Sequence, residues 1–239
     1  MKQISAQNID FKELNEQVKA ATEDVCIDHC YGQRFIGSAM KGKTLVINGT
    51  PGNALGAYLD GGIIEVKGNA QDAVGDTMND GRIIVHGNTG DALGYAMRGG
   101  NIFIRGNSGY RTGIHMKEYK TKKPAIVIGG KTGSFLGEYL AGGVIVVLGI
   151  DVEEIPVGNF TGTGMHGGKI FIRTNKELSG LPAQVVLELA SAADLQEIEP
   201  YVAEFSKHFG VDANSYLKDR FYLLKPNAKN PYKQLYTHN

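Results

Sequence analysis

The chain of 239 residues holds 33 glycines, 7 prolines, no tryptophan, and 25 basic against 25 acidic side chains. A formal charge of zero removes the case for nucleic acid or an anionic membrane as a partner, because both need a clustered positive surface. Glycine abundance without matching proline or a three-residue period excludes collagen and fits disorder poorly, so the glycines must act locally.

The first zone, 1–41, reads as an N-terminal helix and lead-in cap. Asp10 with Glu13 forms a capping box, and Phe11, Leu14 and Val18 follow at helical spacing, so a helix is predicted over Phe11–Ala20. Cys26 and Cys30 flank His29. Zinc needs four ligands and a redox dithiol usually has two intervening residues, so these are read as ordinary reduced thiols, and no metal site is assigned. Gly37-Ser38-Ala39-Met40-Lys41-Gly42-Lys43-Thr44 matches the P-loop pattern letter for letter. A P-loop lysine must open a helix, however, and Leu45-Val46-Ile47 reads as a strand, so nucleotide binding is not expected.

The second zone, 42–173, is the repeat. Only Gly32, Gly37, Gly180 and Gly210 fall outside the stretch from Gly42 to Gly168. Gly49, Gly68, Gly87 and Gly106 stand 19 apart, as do Gly56, Gly75, Gly94 and Gly113, and a fixed period near 20 signals a solenoid. Each unit has a glycine arc followed by an alternating β-branched segment. Aligned, the segments give one file of Leu45, Ile64, Ile83, Ile102, Ile126, Ile145 and Ile170, and a second of Ile47, Val66, Val85, Ile104, Ile128, Val147 and Ile172. Leu59, Met78, Met97, Met116, Leu140 and Met165 form a third, from the arcs. A unit that turns apolar groups inward from two sides must stack, which predicts an all-β, single-stranded, right-handed parallel β-helix of about seven coils. Extra residues bulge at 117–124 and 150–157, making these candidate contact loops. Gly162-Thr163-Gly164-Met165-His166-Gly167 satisfies G-x-G-x-x-G but leads into a strand, which argues against a dinucleotide site.

The third zone, 174–239, reads as an α-rich C-terminal cap and tail. Residues 182–189 look extended, 194–208 helical with Pro200 as a break and Gly210 as a stop, and Phe221-Tyr222-Leu223-Leu224-Lys225-Pro226 resembles a strand or arm. His86, His115, His166, His208 and His238 show no pairing and are read as solvated or satisfied imidazoles. The outward strand positions Glu65, Lys67, Arg82, His86, Asn101 and Arg105 are mixed, without the stacked carboxylates of an outer-face glycosidase. No catalytic, cofactor-binding or metal residue is assigned.

Taken in order, Ile9-Asp10 through Leu14-Asn15, Gln33-Arg34-Phe35-Ile36-Gly37, Gly49-Thr50-Pro51-Gly52-Asn53-Ala54-Leu55-Gly56, Gly158-Asn159-Phe160 and Gly164-Met165-His166-Gly167-Gly168 resemble the C-terminal β-helix domain of the glutamate synthase large chain, the GXGXG domain. The tail at 221–236 is similar to that family's closing segment. The resemblance covers essentially the whole chain. Three features depart from the family pattern: Gly68-Asn69-Ala70-Gln71 lacks the second glycine, Arg111 occupies a position otherwise small or aromatic, and the Cys26 to Cys30 segment has no family assignment.

The resemblance implies a structural subunit of a split glutamate synthase, bracing a glutaminase subunit and an FMN- and iron-sulfur-containing synthase subunit that make glutamate from glutamine and 2-oxoglutarate. The residues agree with that division. An N-terminal-nucleophile glutaminase needs an exposed cysteine, and here Met1 precedes Lys2; an iron-sulfur cluster needs about four thiolates, and two cysteines are present. A formylmethanofuran dehydrogenase subunit shares the same glycine solenoid, and an outer-face β-helix enzyme is a further alternative. The longest apolar run, Val144 to Leu148, is far shorter than the roughly 20 residues of a membrane span, so the expected address is the cytoplasm.

Overall fold

The computed structural model describes residues 1–227. Its elements run β1 (Lys2–Ser5), α1 (Phe11–Ala20), β2 (Val25–Tyr31), β3 (Thr44–Thr50), β4 (Asp60–Val66), β5 (Asp80–Val85), β6 (Asn101–Ile104), β7 (Ala125–Ile128), β8 (Ala141–Val147), β9 (Gly167–Arg173), β10 (Val185–Leu189), α2 (Ala192–Phe209), a 3-10 helix (Ala213–Lys218) and β11 (Phe221–Pro226). Strands β1 to β9 form parallel pairs in chain order, and β11 then β10 complete the sheet in antiparallel sense.

The two strand files lie in register. Leu45 pairs with Ile64, Ile64 with Ile83, Ile83 with Ile102, and so on through Ile145 with Ile170. Each side chain in both files is fully buried, and the arc file of Leu59 to Met165 closes the interior from the other side. Burial of this kind is the main favourable term for a fold whose units cannot bury both faces alone.

The coil count is about eight turns, because β2 is also a coil of the stack. Val25 and Ile27 sit under Leu45 and Ile47 and extend both files by one residue. This corrects the expected seven coils. The β2 coil stands outside the 19-residue repeat because α1, rather than a glycine arc, leads into it. Asp10 caps α1, its carboxylate accepting from the Lys12 and Glu13 amides, which is the Asp10 half of the expected capping box, while Leu14 and Val18 are buried over the first coil.

The arcs use an alternating backbone. Ala54, Gly56 and Tyr58 all have positive φ (62°, 65° and 58°), and the pattern recurs in every coil. At Gly56 the requirement for glycine is steric as well as torsional, since a Cβ would stand 2.7 Å from Ile83 Cδ1 of the next coil. Amides of the other two residues reach forward, Ala54 to the Asp72 carbonyl (2.9 Å) and Tyr58 to the Asp76 carbonyl (2.8 Å). Side chains join the same ladders: Asn69 Oδ1 accepts from the Asn88 amide (2.8 Å) and Asn88 Oδ1 from the Asn107 amide (2.7 Å).

The C-terminal zone differs from expectation in two ways. First, α2 does not close the end of the solenoid. It lies on the outer face of the sheet, where Ile198, Val202 and Phe205 are buried against Ile84, Phe103, Val127, Val146 and Phe171. The end is covered instead by Leu178, Leu181, Val185 and Leu187, and by β11, whose Leu224 and Tyr222 continue the files beyond Ile170 and Ile172. Second, Pro200 does not break α2, which runs unbroken from its Ser191–Asp194 capping box to Gly210 in the left-handed region (φ 64°). A proline inside a helix costs one hydrogen bond and some strain, and anchoring of the next turn by Val202 and Phe205 offsets it. The tail beyond residue 227, with His238, lies outside the described residues.

Candidate interaction surfaces

The interior is filled, so chemistry must be sought on the walls. Cys26 and Cys30 are both buried free thiols on the β2 coil. Cys26 Sγ accepts from Asn48 Nδ2 (3.5 Å), and Cys30 donates to Gln33 Oε1 (3.6 Å). Burial pushes the Cys30 thiol up to about 11, which makes it a poor nucleophile near neutrality. The strand bulges between Ile27 and Cys30, and His29 takes a left-handed backbone there (φ 57°).

The P-loop lysine has a structural task. Lys43 donates to the carbonyls of Val18 (3.0 Å) and Ala21 at the C-terminal end of α1, where a cation meets the negative end of the helix dipole. Thr44 then opens β3, as the spacing predicts. The second glycine motif likewise leads directly into β9.

The histidines are spread over different coils. His86 Nε2 lies 2.8 Å from Glu65 Oε1 and its ring meets Phe209 edge-on at 5.2 Å. His208 lies 3.4 Å from Glu204 and 5.1 Å from the Phe103 ring. His166 Nδ1 lies 3.1 Å from the Gly164 carbonyl. His115 stacks on Tyr139 (5.0 Å, 10° between planes) and meets Tyr95 edge-on. Of the mixed outward residues, Arg82 pairs with Glu204 of α2, and Asn101 Nδ2 donates to the same carboxylate (3.5 Å). They clamp the helix onto the sheet.

The two bulges differ in character. Residues 117–124 fold back onto the stack: Tyr119 and Lys122 form a β-bridge, Lys122 reaches Asp80 (2.9 Å) and Asp60 (3.6 Å), and Lys123 reaches Glu197 of α2 (2.5 Å). Residues 150–153 line an open polar cleft of about 570 Å³ with Arg173, Lys176, Tyr216 and Asp219. Within it Arg173 is already occupied, bonding Asp219 Oδ2 (2.7 Å) and the Leu148 carbonyl (2.7 Å) while stacking over Tyr216. Among the described residues, no helix is long and apolar enough to cross a membrane.

The family model described as the GXGXG motif matches residues 4–228. The chain belongs to the GXGXG family. An uncharacterized protein of Methanocaldococcus jannaschii is 41% identical to this GXGXG chain over 249 residues, covering 98% of it and 95% of the relative. In fold the GXGXG chain is similar to one chain of the formyltransferase/hydrolase complex of Methylorubrum extorquens, solved in complex with methylofuran. That likeness has a TM-score of 0.64 at 19% identity and covers 92% of this chain and 89% of the other.

One further wall of the GXGXG solenoid carries a feature the sequence alone does not show. Where successive arcs stack, large rings stand at left-handed positions and contact one another from coil to coil. Phe135 stacks on Phe160 (5.0 Å), and the Arg111 guanidinium lies 5.0 Å over Phe135. The Tyr95, His115 and Tyr139 contacts occur on the same set of arcs. The residue letters reveal the aromatics, but not the stacking or the strained backbone beneath them.

Proposed function

We propose that this chain is a non-catalytic scaffold subunit of a multi-subunit enzyme, and that the enzyme is a split glutamate synthase. The packed interior carries the scaffold reading: both strand files are fully buried from Val25 to Ile172, which leaves rigid walls for docking. A solenoid filled in this way transmits position between bodies bound along it. The glutamate synthase assignment is supported by the GXGXG match over residues 4–228 together with the motif order described above. In this reading the chain is wound right-handed, works in the cytoplasm, and braces a glutaminase subunit against a synthase subunit. FMN and the iron-sulfur cluster belong to the synthase partner, and this chain binds neither.

A second reading has its own supporting observation. The fold is similar to a chain of a formyltransferase/hydrolase complex, which favours the same bracing role in formyl-transfer chemistry. Purification of the native assembly through a tag on this chain separates the two. Under the first reading the assembly shows flavin absorbance and releases ammonia from glutamine, and the isolated chain does neither. Formyl transfer without glutaminase activity would support the second. Turnover of a small substrate by the isolated chain would contradict both.

A further inference from the structure

The repeat contains its own controls. At the first left-handed position of successive arcs, Ala54, Ala73 and Ala92 have φ of 62°, 56° and 56°, while Arg111, Phe135 and Phe160 have 57°, 63° and 60°. Alanine shows that the arc needs nothing larger there. A bulky L residue in this region is strained relative to glycine and gains nothing from burial when it is exposed. Phe160 is 56% exposed, and four residues after Phe135 in the same arc Tyr139 is 36% exposed. Phe135 is half-buried between Arg111 and Phe160, so it is the exposed ring of Phe160 that folding does not account for.

The same comparison isolates a charge. Asn53 Oδ1, Asp72 Oδ1 and Asp91 Oδ1 perform one ladder task, each accepting the amide 19 residues on. Asn53 performs it without charge, so the carboxylates of Asp72 and Asp91 are not required by the ladder. Arcs 72–78 and 91–97 contain Asp72, Asp76 and Asp91 and no lysine or arginine. The later arcs, 110–116, 134–140 and 159–165, contain Arg111 and Glu138, which pair with each other at 3.0 Å. The flank is thus acidic over its middle coils, and aromatic with balanced charge over its later ones.

The first arc shows a helix set beside such a ring, with Phe35 still 45% exposed. Phe35 holds the same left-handed position (φ 61°) as Phe135 and Phe160. There the chain supplies a helix: Phe11 at the start of α1 meets Phe35 at 6.1 Å, with Arg34 4.7 Å over Phe11.

We propose that the arc flank is the docking face for a helix of a partner subunit, which seats an apolar anchor on Phe135 and Phe160 and sets lysine or arginine against Asp72, Asp76 and Asp91. This proposal rests on the scaffold reading and identifies the wall that reading uses. Stacked aromatic and arginine side chains are the residue types that dominate binding energy at protein interfaces, and complementary charge sets the approach.

The repeat also dictates the test variants. Phe135→Ala with Phe160→Ala copies Ala54 and Ala73, and Asp72→Asn with Asp91→Asn copies Asn53, so both double variants keep the fold and its thermal transition. The subunit recovered with the tagged wild-type chain is identified, expressed from its own gene and titrated against each form. The alanine pair is expected to weaken binding tenfold or more. The asparagine pair is expected to slow association severalfold at low salt and to flatten its salt dependence, and cross-links should map to arcs 72–165. Wild-type affinity in both variants, with cross-links confined to the sheet face, would overturn the docking face while leaving the scaffold reading intact. Failure of the wild-type chain to assemble with any subunit would overturn the scaffold reading and this inference with it.

Discussion

Ile102 lies between Ile83 below and Ile126 above, fully buried in the middle of the stack. The position admits an aliphatic group and nothing charged, because no polar partner exists within the files and water is excluded. Ile102→Asp would therefore bury a carboxylate, or force its protonation, at a cost of about 4 kcal/mol or more. The expected outcome is loss of a cooperative thermal transition by circular dichroism; an unchanged melting curve would refute the register. Positions such as Ile102 were legible in the sequence because a 19-residue repeat aligns them without ambiguity. The backbone at Phe135 and Phe160 was not legible, since left-handed torsion at a phenylalanine runs against the usual preference for glycine.

At the scale of elements, α2 is the part whose place the sequence left open. Its helical pattern and both ends are readable, yet a helix that follows the last coil reads as a cover for the end of the stack. The sequence did contain the opposing signal: the outward positions Ile84, Phe103, Val127, Val146 and Phe171 are all apolar, which requires a cover. Charge then fixes the helix in place. Burial raises the pKa of Glu197, but its bonds to Lys123 and Lys169 outweigh this and hold the carboxyl below the ordinary glutamate range. A carboxyl depressed in the folded state contributes stability above its unfolded pKa, and that contribution is lost as pH falls through the folded value. Between pH 6 and pH 3, wild type is expected to lose more stability in urea titration than Glu197→Gln does. Equal losses would show that these ion pairs do not anchor the helix.

Across the whole molecule, the repeat made the central coils readable and the ends difficult. The β2 coil joins the files through Val25 and Ile27 but is entered from a helix, so no glycine arc announces it. Partner surfaces were harder still. The bulge at 117–124 reads as a contact loop in the sequence; Lys122 and Lys123 tie its later end to Asp80 and Glu197, while residues 117–121 stay exposed. The row of stacked arcs is visible only once the coils are superposed. All of these assignments depend on the vertical order of the aliphatic files. Methyl-labelled isoleucine in the intact chain tests that order directly by nuclear Overhauser spectroscopy. Strong methyl contacts are expected for Ile64 with Ile83, Ile83 with Ile102, and Ile102 with Ile126; contacts that skip a coil or join other residues would contradict the fold and every surface derived from it.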